Sequence, residues 1–386
     1  MHDLARSLRL FTDSASDLPR TDAYLTKVFG FSIRSWQLIG FAVFAQASGT
    51  GTSVLTPSQF STISDQTLQR ALVPILDELS DSIDGIKEVH RESRKDNRII
   101  YDLHIPSVFL QKPLVRLSDG RFFALHYPWL LRGAMEGIFD IGRTRISKDF
   151  GAEFGLVFER YVGEILRECL TEAKFVPEAE MQRLTNESVC DYAVELPNAI
   201  VFIECKAVGY TASLPSVSAI ENSNAISKIG SAFDQIASTI QLIQRSVIGG
   251  LFEPIGEKKL YGIVVTFRHI PSANHPDFRR SAIEPQSSLA PTLSSFLAHP
   301  AQVLDVSELE DMLSIGLSMS VGLDSLIEEK AALPPQAGYE WEAFLSRKMD
   351  ETCRIPSLSR RSEEFMANHK VSYGLSDAKA VTGKGA

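Results

Sequence analysis

One stretch constrains what the rest of the chain can build: residues 188–210, SVCDYAVELPNAIVFIECKAVGY. Two runs of strand-forming residues, 189–196 and 199–207, flank a Pro197-Asn198 turn signal, which predicts a tight antiparallel hairpin. The second run opens Ala-Ile-Val-Phe-Ile, apolar at every position, as a strand buried on both faces requires. Its far end carries Glu204-Cys205-Lys206, two charges where the pattern calls for core. An unpaired buried charge is costly or forces a shift in pKa, so a strand tip that bears such charges reads as a site.

The geometry follows from the turn. If it is symmetric about Pro197-Asn198, Asp191 faces Glu204 and Cys190 faces Cys205. Cross-strand partners share a face, with Cβ atoms about 4.5–5.5 Å apart. Glu204 and Lys206 share that face too, because strand side chains alternate with period two. Asp191, Glu204 and Lys206 are therefore expected to converge. Two carboxylates that close repel unless a cation lies between them or one keeps its proton. A hard divalent ion bound through oxygen, Mg2+ or Mn2+, is the natural neutraliser. A loop of odd length would turn Glu204 to the other face. Pro197 argues against the commonest two-residue turns and for a four-residue loop of the same symmetry.

Helices bracket the hairpin. Residues 153–172 place Phe154, Phe158, Tyr161, Val162, Ile165 and Cys169 on one stripe, with Glu159 at its edge. Residues 228–246 place Ile229, Ala232, Phe233, Ile236, Ile240 and Ile243 on another, with Gln235 near the middle, and 261–267 reads as a further buried strand. Glu178 and Glu180, in the connecting strand and loop 174–187, are rival acidic candidates.

The order helix-Glu, strand-Asp, strand-Glu-x-Lys, helix-Gln, strand resembles the PD-(D/E)xK nuclease superfamily, the restriction-endonuclease-like fold, over roughly residues 150–270. Cys190 stands where the family pattern has proline. The resemblance implies a metal-dependent nuclease that hydrolyses phosphodiesters, with DNA as substrate and bacterial anti-phage defence as setting. It implies Asp191, Glu204, the Cys205 backbone carbonyl and Glu159 around Mg2+ or Mn2+. Lys206 would orient the attacking water or neutralise developing charge, the latter being favoured beside two carboxylates, and Gln235 would be an orienting group. A phage-derived trigger or a homo-oligomer is the partner such a defence protein would have, besides nucleic acid. Two alternatives stay open: a catalytically silent nuclease-like fold that binds nucleic acid or protein, and a related hydrolase acting on RNA or nucleotides.

Composition bears on this in one respect. The net charge of −9 supplies no global attraction to nucleic acid, so any binding surface must be a local basic patch, and the acidity favours the silent binding module. The four cysteines show no metal-ligand spacing and read as reduced core thiols. The eight histidines are likewise scattered. The N-terminus lacks the apolar core of a signal peptide, and the apolar run 36–45 is too short to span a bilayer, so a cytoplasmic protein with no membrane partner is expected.

The expected fold is therefore α/β: a restriction-endonuclease-like mixed sheet flanked by helices at 151–310, a mainly helical N-terminal region with a hairpin at 1–150, a helical extension at 311–370 and a disordered tail at 371–386. In the first region helices are expected at 22–47, at 64–79 with Ser64-Asp65 as cap, and at 129–140. A strand is expected at 97–105, and a hairpin at 113–125 with Asp119-Gly120 in its turn. Past the core, 301–306 reads as an edge strand, Ser307 as the cap of a helix with Glu310 completing a capping box, and 318–331 and 338–349 as further helices.

Overall fold

Strand-forming runs and amphipathic helices alternate along the chain as the sequence pattern requires, and they assemble into a mixed α/β structure with, among the described residues, one four-stranded and one five-stranded sheet. The computed structural model describes residues 2–49, 53–93, 109, 111–146, 148–209, 224–253, 256, 258–270, 273–283, 293, 295–333, 340–350 and 352–370. The expected strand at 97–105 and tail at 371–386 lie outside these. Two units emerge: one of residues up to Phe154 together with those from Pro356, the other from Gly155 to Ile355. The span 311–370, read from sequence as one extension, is thus divided, its first part belonging with the second unit and its last helix with the first.

The first unit has helices His2–Ser7 (α1), Pro19–Phe29 (α2), Ile33–Gly49 (α3), Gln66–Leu79 (α4), Ile83–Ser93 (α5) and Tyr127–Ile141 (α6). Its sheet has strands Val54–Leu55 (β1), Ser80–Ser82 (β2), Leu114–Arg116 (β3) and Phe122–Ala124 (β4), in the order β1-β4-β3-β2. The single helix expected at 22–47 is two, because Gly30 takes the left-handed conformation, φ +76°, that caps a helix C-terminus and turns the chain. Asp65 caps α4, accepting from the N–H groups of Thr67 (2.7 Å) and Leu68 (3.3 Å). The β3–β4 hairpin turns at Asp119-Gly120, with Gly120 at φ +82°. The last helix, Pro356–Lys370, joins this unit's core. The Phe365 ring meets Phe41 edge-on at 5.0 Å, among Leu4, Leu8, Ala134 and Met135. Among the described residues no single helix is long and apolar enough to cross a membrane.

The second unit takes the helix Lys148–Cys169 (α7) from Gly155 onward. There follow Lys174–Pro177 (β5), Glu178–Met181 (α8), Tyr192–Glu195 (β6), Ala199–Lys206 (β7), Asn224–Gln244 (α9), Lys259–Thr266 (β8), Pro276–Ile283 (α10), Gln302–Asp305 (β9), Val306–Met319 (α11), Leu323–Ala331 (α12) and Trp341–Leu345 (α13). The sheet order is β5-β6-β7-β8-β9; the first two pairings are antiparallel and the last two parallel. β7 lies at the centre, and Ala199 to Ile203 are almost fully buried. That is why its sequence is apolar without alternation. The helix expected at 318–331 is interrupted at Ser320, which adopts φ +54°. The cap expected at Ser307 lies two residues earlier. Asp305 accepts from Glu308 N–H (2.9 Å) while the Glu308 side chain accepts from Asp305 N–H (2.8 Å), a reciprocal capping box.

This placement of the cap is testable. Asp305→Ala is expected to lower stability by about 1–2 kcal/mol in denaturant unfolding, and Ser307→Ala by no more than a few tenths. Equal losses in the two variants would contradict it.

Candidate metal centre

The site is assembled by the register of three strands. β6 pairs with β7 as Tyr192↔Ile203, Ala193↔Phe202, Val194↔Val201 and Glu195↔Ile200, so the ladder runs on to set Asp191 opposite Glu204, as the symmetric turn predicts. At the turn, Leu196 N–H still donates to the Ala199 carbonyl (2.8 Å), leaving Pro197 and Asn198 at the tip. On the other side, β5 pairs with β6 as Pro177↔Tyr192, and Glu178 N–H donates to the Asp191 carbonyl (2.7 Å). Asp191 is thus flanked by an acidic residue on each neighbouring segment.

Asp191 and Glu204 are bound to each other's strands. The Asp191 carboxylate accepts from Cys205 N–H (2.6 Å), and the Glu204 carboxylate accepts from Asp191 N–H (3.1 Å). Lys206 donates to the other Glu204 oxygen and to Oε1 of Gln235 on α9 (2.7 Å). Below Gln235, the Thr239 hydroxyl accepts from Cys190 N–H (2.8 Å) and donates to the Gln235 carbonyl (2.8 Å), which ties α9 to the residue preceding Asp191. The predicted Glu204, Lys206 and Gln235 are therefore one hydrogen-bonded chain, joined to Asp191 through its backbone.

The carboxylates of Glu159, Glu178 and Asp191 form a second cluster, with one oxygen from each lying within 4.8 Å of the others. Glu204 is outside that group. Glu159 comes from α7, at the edge of its apolar stripe, and Glu178 from the start of α8. Glu178 was only a rival candidate in the sequence. The signal that singles it out is the β5–β6 register, which sets it beside Asp191; a short, half-buried β5 discloses no such register by its own pattern. Glu180 does not join the group. Cys205 enters through its N–H, and its carbonyl, implied as a ligand by the resemblance, belongs to a residue paired with Val265 of β8. All four cysteines are free.

The electrostatics follow from burial and crowding. Burial, then Asp191 and Glu178, push the Glu159 carboxyl from 4.5 to about 7. Burial and Asp191 raise Glu178 and, more strongly, Glu204, which is only 1% exposed. Asp191 is raised by burial, against the opposing pull of the Cys205 N–H and Lys206. Each shift comes first from burial, which disfavours the ionised form; the charge of Asp191 adds to it at Glu159, Glu178 and Glu204.

No family model, no curated protein and no solved structure matches this chain. The case for a metal centre therefore stands on its donor set. The clustered side chains offer only carboxylate oxygens, without thiol or imidazole, and in an octahedral shell at about 2.1 Å neighbouring oxygens lie about 3.0 Å apart and opposite ones about 4.2 Å, both inside the 4.8 Å within which this group lies. The donors fit Mg2+ or Mn2+. A second group, His269, Asp305 and Glu308, also lies within 4.8 Å, but its two carboxylates already serve the capping box of α11.

Burial of Glu159, with the crowding that adds to it, predicts a pH effect. The folded-state pKa of Glu159 lies above its unfolded value, so between about 4.5 and 7 the folded chain holds more protons and stability falls as pH rises. Glu159→Gln is expected to raise the melting temperature at pH 8 in EDTA and to make the decline across that window shallower. Because solvent still reaches Glu159, the gain is on the order of 1 kcal/mol. A variant less stable than wild type at pH 8 would refute this cost of burying and crowding the Glu159 carboxylate.

Proposed function

We propose that the chain is a divalent-metal-dependent nuclease of the PD-(D/E)xK type, with the β5–β9 sheet, α7 and α9 as its restriction-endonuclease-like core and DNA as its substrate. The observation that supports this most directly is that Glu159, Asp191, Glu204, Lys206 and Gln235, widely spaced in sequence, meet at one end of the β6–β7 hairpin. A buried ion pair kept for the fold alone would need neither the third and fourth carboxylates nor a glutamine on the lysine, and such pairs stabilise poorly.

In this reading Glu159, Asp191 and Glu178 hold the cation, with the Cys205 carbonyl as a fourth oxygen, and Glu204 has a different task. A bound Mg2+ would acidify a water and stabilise negative charge on the phosphoryl oxygens. Glu204 and Gln235 fix the Lys206 ammonium from two sides, so that it is oriented before substrate arrives. Lys206 then sits beside the carboxylate cluster, where charge grows on phosphorus-bound oxygen as water attacks and the P–O bond to the leaving group breaks. Cys205 N–H holds the Asp191 carboxylate in place. The role in anti-phage defence rests on the resemblance alone.

The deciding experiment incubates the protein with plasmid, linear duplex, single strands and RNA, in Mg2+, Mn2+ or EDTA. Cleavage that needs metal, and falls at least about a hundredfold in Asp191→Ala and Lys206→Ala, is expected. Glu178→Ala is expected to shift the metal requirement to higher concentration. Binding of nucleic acid with no cleavage under any metal would replace the enzyme by the silent binding module.

A further inference from the structure

Asp191 lies beside a strand and Glu159 on a helix, so their separation depends on what fastens α7 to β6. One side chain does this at the site itself. Tyr192, the residue after Asp191, donates its hydroxyl to the backbone carbonyl of Glu159 at 2.9 Å. In the helix ladder that carbonyl is the acceptor for the N–H of residue 163. Position 163 is glycine, and a Cβ there would lie 2.5 Å from the Tyr192 hydroxyl oxygen and 2.7 Å from the ring carbon that bears it. Any larger residue would drive the hydroxyl out. The helix itself has no need of glycine at this place: its φ is not positive, and glycine within a helix is destabilising relative to alanine. The Tyr192 ring is buried and held from its other side by Phe175, ring centroids 4.9 Å apart. Burial also raises the phenol's pKa, which keeps the hydroxyl a donor.

We propose that Tyr192 and Gly163 form a lock that sets the distance from Glu159 to Asp191, and thereby the affinity of the carboxylate cluster for its cation. This rests on the metal-centre reading above. Tyr192 touches a ligand's backbone rather than cation or substrate, so it is a positioning residue. A glycine in mid-helix and a buried hydroxyl on a carbonyl are each commonplace. Their apposition, one turn after one carboxylate and one residue after another, is what points to the lock.

The test uses the full chain, Mn2+ as probe and calorimetry as readout, with melting in EDTA beside it. Tyr192→Phe keeps the ring and removes the hydroxyl; it is expected to weaken Mn2+ binding about tenfold, as loss of a group that orients a ligand does. Gly163→Ala, favoured by helix propensity, is expected to weaken binding to a similar extent while the protein melts as a folded chain. In both variants saturating Mn2+ restores the cleavage rate, a rescue that Asp191→Ala does not show. Mn2+ affinity within twofold of wild type in Tyr192→Phe, or cleavage still depressed at saturating Mn2+, overturns the lock while leaving the metal centre standing. Wild-type protein without Asp191-dependent Mn2+ binding overturns both.

Discussion

The second unit turns on a reciprocal exchange: Asp191 reaches the N–H of Cys205, and Glu204 reaches the N–H of Asp191. Each carboxylate occupies a backbone donor of the strand opposite. Charge-assisted bonds of this kind are shorter and stronger than neutral ones. They also satisfy one oxygen of each carboxylate where a bare carboxylate in a sheet interior would be costly. The exchange fixes the two side chains relative to the ladder, so everything attached to either inherits that precision. Lys206 and Gln235 hang from Glu204; Glu178 and Glu159 gather about Asp191.

The result is a division of labour between two groups of charges that the motif alone runs together. One is an oxygen cluster with too little positive charge, and the other is a lysine with a carboxylate and an amide already on it. A cation shared between Asp191 and Glu204 would draw Glu204 away from Lys206. A cation held by Asp191, Glu159 and Glu178 leaves the lysine's tether intact. Under the proposed function the second arrangement leaves every one of these hydrogen bonds in place, with Glu204 as a support for the ammonium.

The hairpin was legible because three signals agree there: an apolar run too uniform for a half-exposed strand, a turn dipeptide, and charges at the far tip. Given the symmetry of the turn, the pairing of Asp191 with Glu204 follows by counting. Glu178 was not legible in the same way. β5 is only Lys174–Pro177, partly exposed, and its partner register depends on β6 being placed first. The helix ends failed for a similar reason. Asp305 and Ser307 are both competent caps, and which one acts depends on where β9 stops, a tertiary fact. The break between α2 and α3 is present in the sequence as Gly30, but the apolar stretch around it masks the signal.

The clamp on the other side of Asp191 shows why the site is tied to the core rather than to a loop. Thr239 is fully buried, and its single hydroxyl both receives the Cys190 N–H and returns a bond to the helix that carries Gln235. Its position in α9 sets the height of Gln235, and its bond to Cys190 sets the depth of Asp191. One residue on α9 therefore fixes both the amide that holds Lys206 and the backbone that carries Asp191. Tyr192 does the corresponding work toward α7. With a helix fastened on each flank of the same three-residue segment, Cys190-Asp191-Tyr192, no part of that segment can shift without breaking one of these hydrogen bonds. Such a segment can keep several like charges close together before any cation arrives, and that preorganisation is what a hard divalent ion, reluctant to shed water, requires of its ligands.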